Sequence, residues 1–283
     1  MIRYNNEWKD FSVVATADGE KLERWGKYHL LRPDPQVIWS GKIPLKFSNI
    51  DAHYLRSNSG GGYWDIKKTL PEEWEIGWRD LRFSIKLMGF KHTGVFPEQA
   101  YNWSRMIELI KSANRPIKVL NLFAYTGGAT MACLSAGAEV THVDASKGMT
   151  QRAKENLILS HLPQRARWIV DDCEKFVMRE INRGNKYDAI IMDPPSYGRG
   201  PNGEIWKIED KLFEFVKLCK KLLGDKPLFV LINSYTTGLQ PTVLYNISKI
   251  VFKDFFKSID AYELGLMGED GIILPCGASC FSS

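Results

Sequence analysis

Between residues 117 and about 235 the chain alternates short apolar runs with longer amphipathic ones. The first apolar run, Lys118–Leu122 (KVLNL), leads into a turn, Phe123 to Gly128, closed by paired glycines. A helix-like run, 129–134, follows it. Runs at 139–143, 166–170 and 187–192 repeat the pattern and end in Asp144, Asp171-Asp172 and Asp193. Helical spacing returns at 147–159, where Ser146 is placed as N-cap, and at 207–223, before a further strand at 227–232. Strands alternating with helices predict a parallel sheet with helices on both faces. Such sheets bind ligands outside the carboxyl ends of their strands, where all four runs deliver polar residues.

Residues 1–95 have a different rhythm. Runs at 11–16 and 21–25 flank Asp18-Gly19, a hairpin signal, and Asp34-Pro35 marks another turn. Residues 59–62 (SGGG) read as a flexible loop. Leu81, Phe83, Ile85 and Leu87 alternate with Arg82, Ser84 and Lys86, the period of a half-buried strand. The expectation is a small antiparallel, β-rich module over 1–95 and a larger α/β domain over 96–283. Pro97 opens a helix to about residue 112 with Trp103, Met106, Ile107 and Ile110 on its apolar face. A helix is expected at 243–252 and closing strands at 260–264 and 271–274; residues 280–283 show no structural purpose.

Six tryptophans (8, 25, 39, 64, 74 and 78) fall in the small module among Lys27, Arg32, Lys67, Lys68 and Arg79. Two readings stand: a stacking surface for unpaired bases, or large rings filling a thin core under a solvated basic face. A hydrophobic fraction of 44% and a charged fraction of 25% exclude disorder as the default. The formal charge of +5 permits a nucleic-acid partner without demanding one. The polar first ten residues, the lack of a bilayer-length apolar stretch and an odd five cysteines without a CxxC pair point to a cytoplasmic protein with reduced thiols. No metal-ligand spacing is present.

The first turn, Ala124-Tyr125-Thr126-Gly127-Gly128, lacks the G-x-G-x-x-G of dinucleotide sites, and no GxxxxGK[ST] occurs. A ligand with a ribose and a base but no phosphate chain fits better, and S-adenosylmethionine is the usual one. Asp144 is placed to accept from the ribose diol, Asp172 from the adenine amine, and the Thr126–Gly128 turn lies at the amino-acid end. The candidate cofactor contacts are Asn121, Phe123, Ala124, Tyr125, Thr126, Gly127, Gly128, Asp144, Ala145, Ser146, Asp171, Asp172 and Asp193. The candidate catalytic element is Asp193-Pro194-Pro195-Ser196-Tyr197, whose prolines stiffen the backbone and whose tyrosine is placed to stack on an extruded base. Residues 198–207 (GRGPNGEIWK) read either as a lid over substrate or as a plain surface loop.

NLFAYTGGAT, VDAS, DD and DPPSYGRG, in that order, resemble class I methyltransferases, nearest the bacterial 23S ribosomal RNA methyltransferases of the RlmI type. The resemblance covers residues 80–240, and GVFPEQ (94–99) matches the segment preceding the core in that group. GEKLERWGKY and RPDPQ resemble a shorter branch without the leading PUA domain. It implies a Rossmann-like methyltransferase fold, S-adenosylmethionine as cofactor and RNA, with rRNA foremost, as substrate; the sequence leaves monomer and homodimer both open. It also implies cofactor contacts from Phe123, Tyr125, Thr126, Gly127, Asp144, Asp172 and Asp193.

One departure bears on the chemistry. RlmI-type enzymes methylate cytosine carbon 5, which requires a cysteine to add first to carbon 6. The segment after the fifth strand is Ile232-Asn233-Ser234-Tyr235, without a thiol. The expected target is therefore a base nitrogen rather than cytosine C5. The competing readings are a methyltransferase of a small molecule or protein, and an RNA-binding protein with a degenerate methyltransferase fold.

Overall fold

The computed structural model describes residues 1–43, 49–57, 61–199 and 205–283. Its strands are β1 (Ile2–Arg3), β2 (Phe11–Ala17), β3 (Glu20–Trp25), β4 (Tyr28–Pro33), β5 (Ala52–Arg56), β6 (Gly62–Ile66), β7 (Trp74–Trp78) and β8 (Leu81–Ile85). After helix α1 (Ala100–Ser112) come β9 (Lys118–Leu122), α2 (Gly128–Ser135), β10 (Glu139–Asp144), α3 (Lys147–Leu159), β11 (Ala166–Val170), α4 (Cys173–Asn182) and β12 (Ala189–Met192). The chain closes with β13 (Tyr197–Arg199), β14 (Ile205–Lys207), α5 (Ile208–Lys220), β15 (Phe229–Ser234), α6 (Pro241–Phe252), β16 (Ile259–Met267) and β17 (Ile273–Ser282).

Two compact units result. The larger holds Met1–Arg3, Tyr101–Leu264 and Cys276–Ser283; the smaller holds Tyr4–Ala100 and Gly265–Pro275. The segment Gly265–Pro275, assigned on sequence to the larger domain, joins the smaller unit because it pairs with β2. Glu269 N donates to Val13 O at 2.9 Å and Ser12 Oγ to Glu269 Oε1 at 2.6 Å.

In the larger unit, one sheet runs in the order β1-β16-β17-β15-β12-β9-β10-β11. The strands β15, β12, β9, β10 and β11 are mutually parallel, as their continuous apolar runs require. The chain moves outward from β9 through β10 to β11, then returns to β12 and proceeds the other way. The order therefore reverses beside β9, which sets the ligand crevice at the carboxyl ends of β9, β10 and β12. Successive side chains sort the helices onto the two faces. Leu120, Leu122, Ile190, Met192, Val230 and Ile232 bury against α4, α5 and α6 through Phe176, Leu212, Phe215, Leu244 and Phe252. The alternate positions Asn121 and Asn233 face α2 and α1, hydrogen bonding to Thr130 and Asn102.

The last residues are core rather than an unexplained end. Cys280, Phe281 and Ser282 lie opposite Ile232, Leu231 and Val230 on β15, in an antiparallel pairing, and all three are fully buried. Their short, mixed composition hid a strand of ten residues.

In the smaller unit, β2-β3-β4-β5-β6 form one sheet and β7-β8 a hairpin. Asp18 (φ 50°) and Gly19 (φ 84°) make the left-handed turn of the first hairpin. The tryptophans form the core of this unit. Trp25 and Trp78 are buried and the other four partly so. Every one of the six indole N–H groups donates inside the unit: Trp8 to Pro97 O, Trp25 to Glu23, Trp39 to Thr16, Trp64 to Met88 O, Trp74 to Trp25 O and Trp78 to Asn5. A stacking platform needs free ring faces. Trp8, Trp25, Trp64, Trp74 and Trp78 meet other rings of the unit, with centroids 4.6 to 6.4 Å apart. Among the described residues no helix is long and apolar enough to cross a membrane.

Candidate active site

The turn after β9 is built from backbone that most residues avoid. Phe123 (φ 55°), Tyr125 (φ 50°) and Gly127 (φ 83°) are all left-handed. Such strain persists only where neighbours over-determine it. Here Ala124 N donates to Val143 O at 3.1 Å, Tyr125 N to Asp144 Oδ2 at 2.8 Å, and Asn156 Nδ2 to Thr126 O at 2.9 Å. Gly127 caps α2, and the first intrahelical bond runs from Met131 N to Gly127 O. The first amides of α2, ahead of that bond, have no acceptor within the helix. Glycine at 128 lets Trp103 pack close: a Cβ there would lie 2.6 Å from its Cζ2.

Asp144 joins the turn to the next loop. Its other oxygen accepts from Ser146 N at 2.8 Å, and Ser146 in turn caps α3 by accepting from Met149 N. Burial raises the Asp144 pKa, opposed by these two backbone hydrogen bonds. A carboxylate offers about four lone-pair sites, so two remain for hydroxyl donors. Ala145 is exposed beside it.

The third loop is tied to the second by Asp171 N, which donates to Asp144 O at 3.1 Å. Asp171 pairs with Arg179. Asp172 is exposed and caps α4, accepting from Lys175 N at 2.9 Å through one oxygen. The carboxylate read as an adenine acceptor thus also holds a helix start.

The fourth loop stands over an aromatic cluster. Phe123, Trp206 and Phe215 pack with ring centroids 5.5 to 5.6 Å apart. Trp206 Nε1 donates to Pro195 O at 2.7 Å, fixing the proline pair against the first turn. Asp193 is half-buried and Pro194 buried. Ser196 Oγ meets Thr236 Oγ1 at 2.6 Å, linking this loop to the one after β15. Tyr197, 49% exposed, opens the β13–β14 ribbon opposite Lys207. Residues 200–204 of the glycine-rich stretch lie outside the described residues.

Several site-supporting residues escaped sequence reasoning. Thr130 Oγ1 links Asn121 Nδ2 (2.9 Å) to His142 Nδ1 (3.0 Å) beneath the first turn. His142 is fully buried, packs tilted against Trp168 with ring centroids 4.9 Å apart, and has its pKa pushed down to about 3 by burial, with Lys154 adding to it. In the smaller unit, burial and the nearby Arg32 push His92 down to about 4. Both depressed values stabilise the fold above the ordinary imidazole range and lose that contribution as the pH falls from 6.5 toward 3. The expected result is a melting temperature that drops over that interval, with a shallower slope in His142→Asn. An unchanged slope in that variant would remove His142 from the account.

Four of the five cysteines, Cys133, Cys173, Cys219 and Cys280, are buried, and the fifth, Cys276 in β17, is partly exposed. Burial raises all four pKa values, that of Cys280 to about 11. The last two residues of β15 are Asn233 and Ser234, both buried.

Comparison with known proteins identifies the family. A family model for S-adenosylmethionine-dependent methyltransferases matches residues 46–239. The crystal structure of the SAM-dependent methyltransferase from Agrobacterium tumefaciens is 34% identical, with a TM-score of 0.94 over 100% of this chain and 93% of that one. Ribosomal RNA large subunit methyltransferase I of Tolumonas auensis is 35% identical over 119 residues, 41% of this chain and 29% of that protein. Ribosomal RNA large subunit methyltransferase K/L of Shewanella oneidensis is 34% identical over 125 residues, 44% of this chain and 17% of that protein. The matches thus span less than a third of these two relatives. With a family model over more than half its length and a near-superimposable structural relative, the chain belongs to the S-adenosylmethionine-dependent methyltransferases.

Proposed function

We propose that this enzyme methylates a nitrogen of an RNA base, ribosomal RNA foremost, from the crevice at the carboxyl ends of β9, β10 and β12. S-adenosylmethionine, when bound, supplies a methyl group on a sulfonium. The chain's residues do the rest. Asp144 accepts the ribose hydroxyls through the lone pairs its two amide partners leave free. The first amides of α2 face the cofactor's amino-acid end, and Asp172 lies at the adenine side. The Asp193 carboxylate and the Pro194 carbonyl accept hydrogen bonds from the target amino or imino group and hold its lone pair in line. Ser196 and Trp206 keep that loop rigid. The names of the ribosomal RNA relatives support the substrate class.

One observation supports the nitrogen assignment: the segment Ile232-Asn233-Ser234-Tyr235, where RlmI-type enzymes carry their cysteine, holds none. A carbon-5 enzyme adds its thiolate to C6 and releases it only after losing the C5 proton. RNA containing 5-fluorocytidine has no such proton and traps that adduct. The expected result is no protein–RNA complex surviving a denaturing gel. A surviving complex would overturn the nitrogen reading.

A further inference from the structure

The opposite end of the same sheet carries a second concave surface, a cleft of about 700 Å³ at the amino ends of β9, β10 and β11. The cations Lys118, Arg165, Arg167 and Lys186 line it, against the carboxylates Glu139 and Glu180. Glu180 contributes little negative field at the mouth. It is fully buried and accepts from Tyr187 OH (2.7 Å), Asn185 Nδ2 (2.8 Å) and Arg183 Nη1 (2.9 Å), with Arg167 Nη1 at 3.5 Å. Lys118 and Arg165 are exposed and pair with no carboxylate among the described residues. Lys186 Nζ rests on a carbonyl, Lys221 O, at 2.7 Å. The floor is therefore a satisfied polar cluster, and the rim carries three cations, Lys118, Arg165 and Lys186, against one exposed carboxylate, Glu139, opposite Lys118.

We propose that this cleft binds the phosphodiester backbone of the RNA substrate, away from the methylated base. It rests on the RNA reading given above. Small-molecule pockets are mostly apolar with a few placed polar groups; here the rim is charged and open, as a backbone track requires. A five-residue strand separates the two ends of the sheet by about 17 Å. A polynucleotide spans that distance, whereas a small substrate held at the crevice does not. The arrangement explains why the cations gather at strand starts, where the transfer chemistry has no use for them. Phosphate contacts of this kind position a substrate without reading its sequence.

The test uses the full chain and a labelled 20-nucleotide single-stranded RNA, titrated at several salt concentrations. Lys118→Gln/Arg165→Gln/Lys186→Gln removes the rim charges and leaves Arg167 with Glu180. The expected dissociation constant rises at least tenfold at 0.1 M salt, and the slope of log affinity against log salt falls by about 2, at about 0.7 per lost contact. S-adenosylmethionine affinity by calorimetry and the melting temperature stay unchanged, which separates this outcome from misfolding. Unchanged RNA affinity and slope overturn the cleft alone. An unsubstituted chain that binds no RNA overturns both the cleft and the RNA reading.

Discussion

Asp144→Ala lowers affinity for S-adenosylmethionine by about thirtyfold, on the order of 2 kcal/mol, the value of a charged hydrogen-bond partner. Two losses combine. The ribose hydroxyls lose their acceptor, and Tyr125 N and Ser146 N lose the oxygens that hold them at 2.8 Å. Asp144→Asn separates the two, since its carbonyl still accepts one amide while the charge is gone. It is expected to weaken binding by less than the alanine variant. Titration of the cofactor by calorimetry reads both. Unchanged affinity in Asp144→Ala would remove the residue from the ribose role.

Gly127→Val lowers stability by about 3 kcal/mol, which sums a strained backbone and an overpacked contact. Gly127 has a φ of +83°, and a Cβ there would lie 2.9 Å from Ala153 Cβ in α3. Neither α3 nor the turn can retreat freely, because Asn156 Nδ2 holds Thr126 O. At roughly 2–4 °C per kcal/mol the melting temperature falls by about 8 °C, and cofactor affinity falls with it as the turn shifts. Gly137 supplies the control: its φ is +94° but nothing lies within 4 Å of a Cβ built there. Gly137→Ala should cost about 1 kcal/mol of strain and leave cofactor binding intact. Equal losses in the two variants would mean that strain alone, not the α3 contact, governs Gly127.

The sheet was legible because parallel strands, covered on both faces, read as continuous apolar runs, and three of them, β10, β11 and β12, lead into aspartates. Asp144 could be singled out by its distance along the chain from the glycine turn, and the structure sets it 2.8 Å from Tyr125 N. Less legible were contacts that join distant segments. Nothing near Phe123 in the chain announces Trp206, 83 positions later, whose indole clamps the proline pair. The Ser196–Thr236 link likewise crosses from one strand end to another. His142 did leave a signal, a lone imidazole within an apolar strand, but its partner Thr130 sits on a different element. The β17 tail was missed because Ser279, Cys280 and Ser282 carry little strand character alone. Their burial comes from β15, not from local propensity. Trp8 to Trp78 admitted two readings on sequence, and only the indole partners favour packing.

The most direct test of the account supplies the purified enzyme with isotopically labelled S-adenosylmethionine and total RNA from cells lacking it. The RNA is then digested and its nucleosides are separated by mass. Label in a guanosine or adenosine bearing an N-methyl group is the predicted result. Label in 5-methylcytidine, or none in RNA while the cofactor still binds, would contradict it.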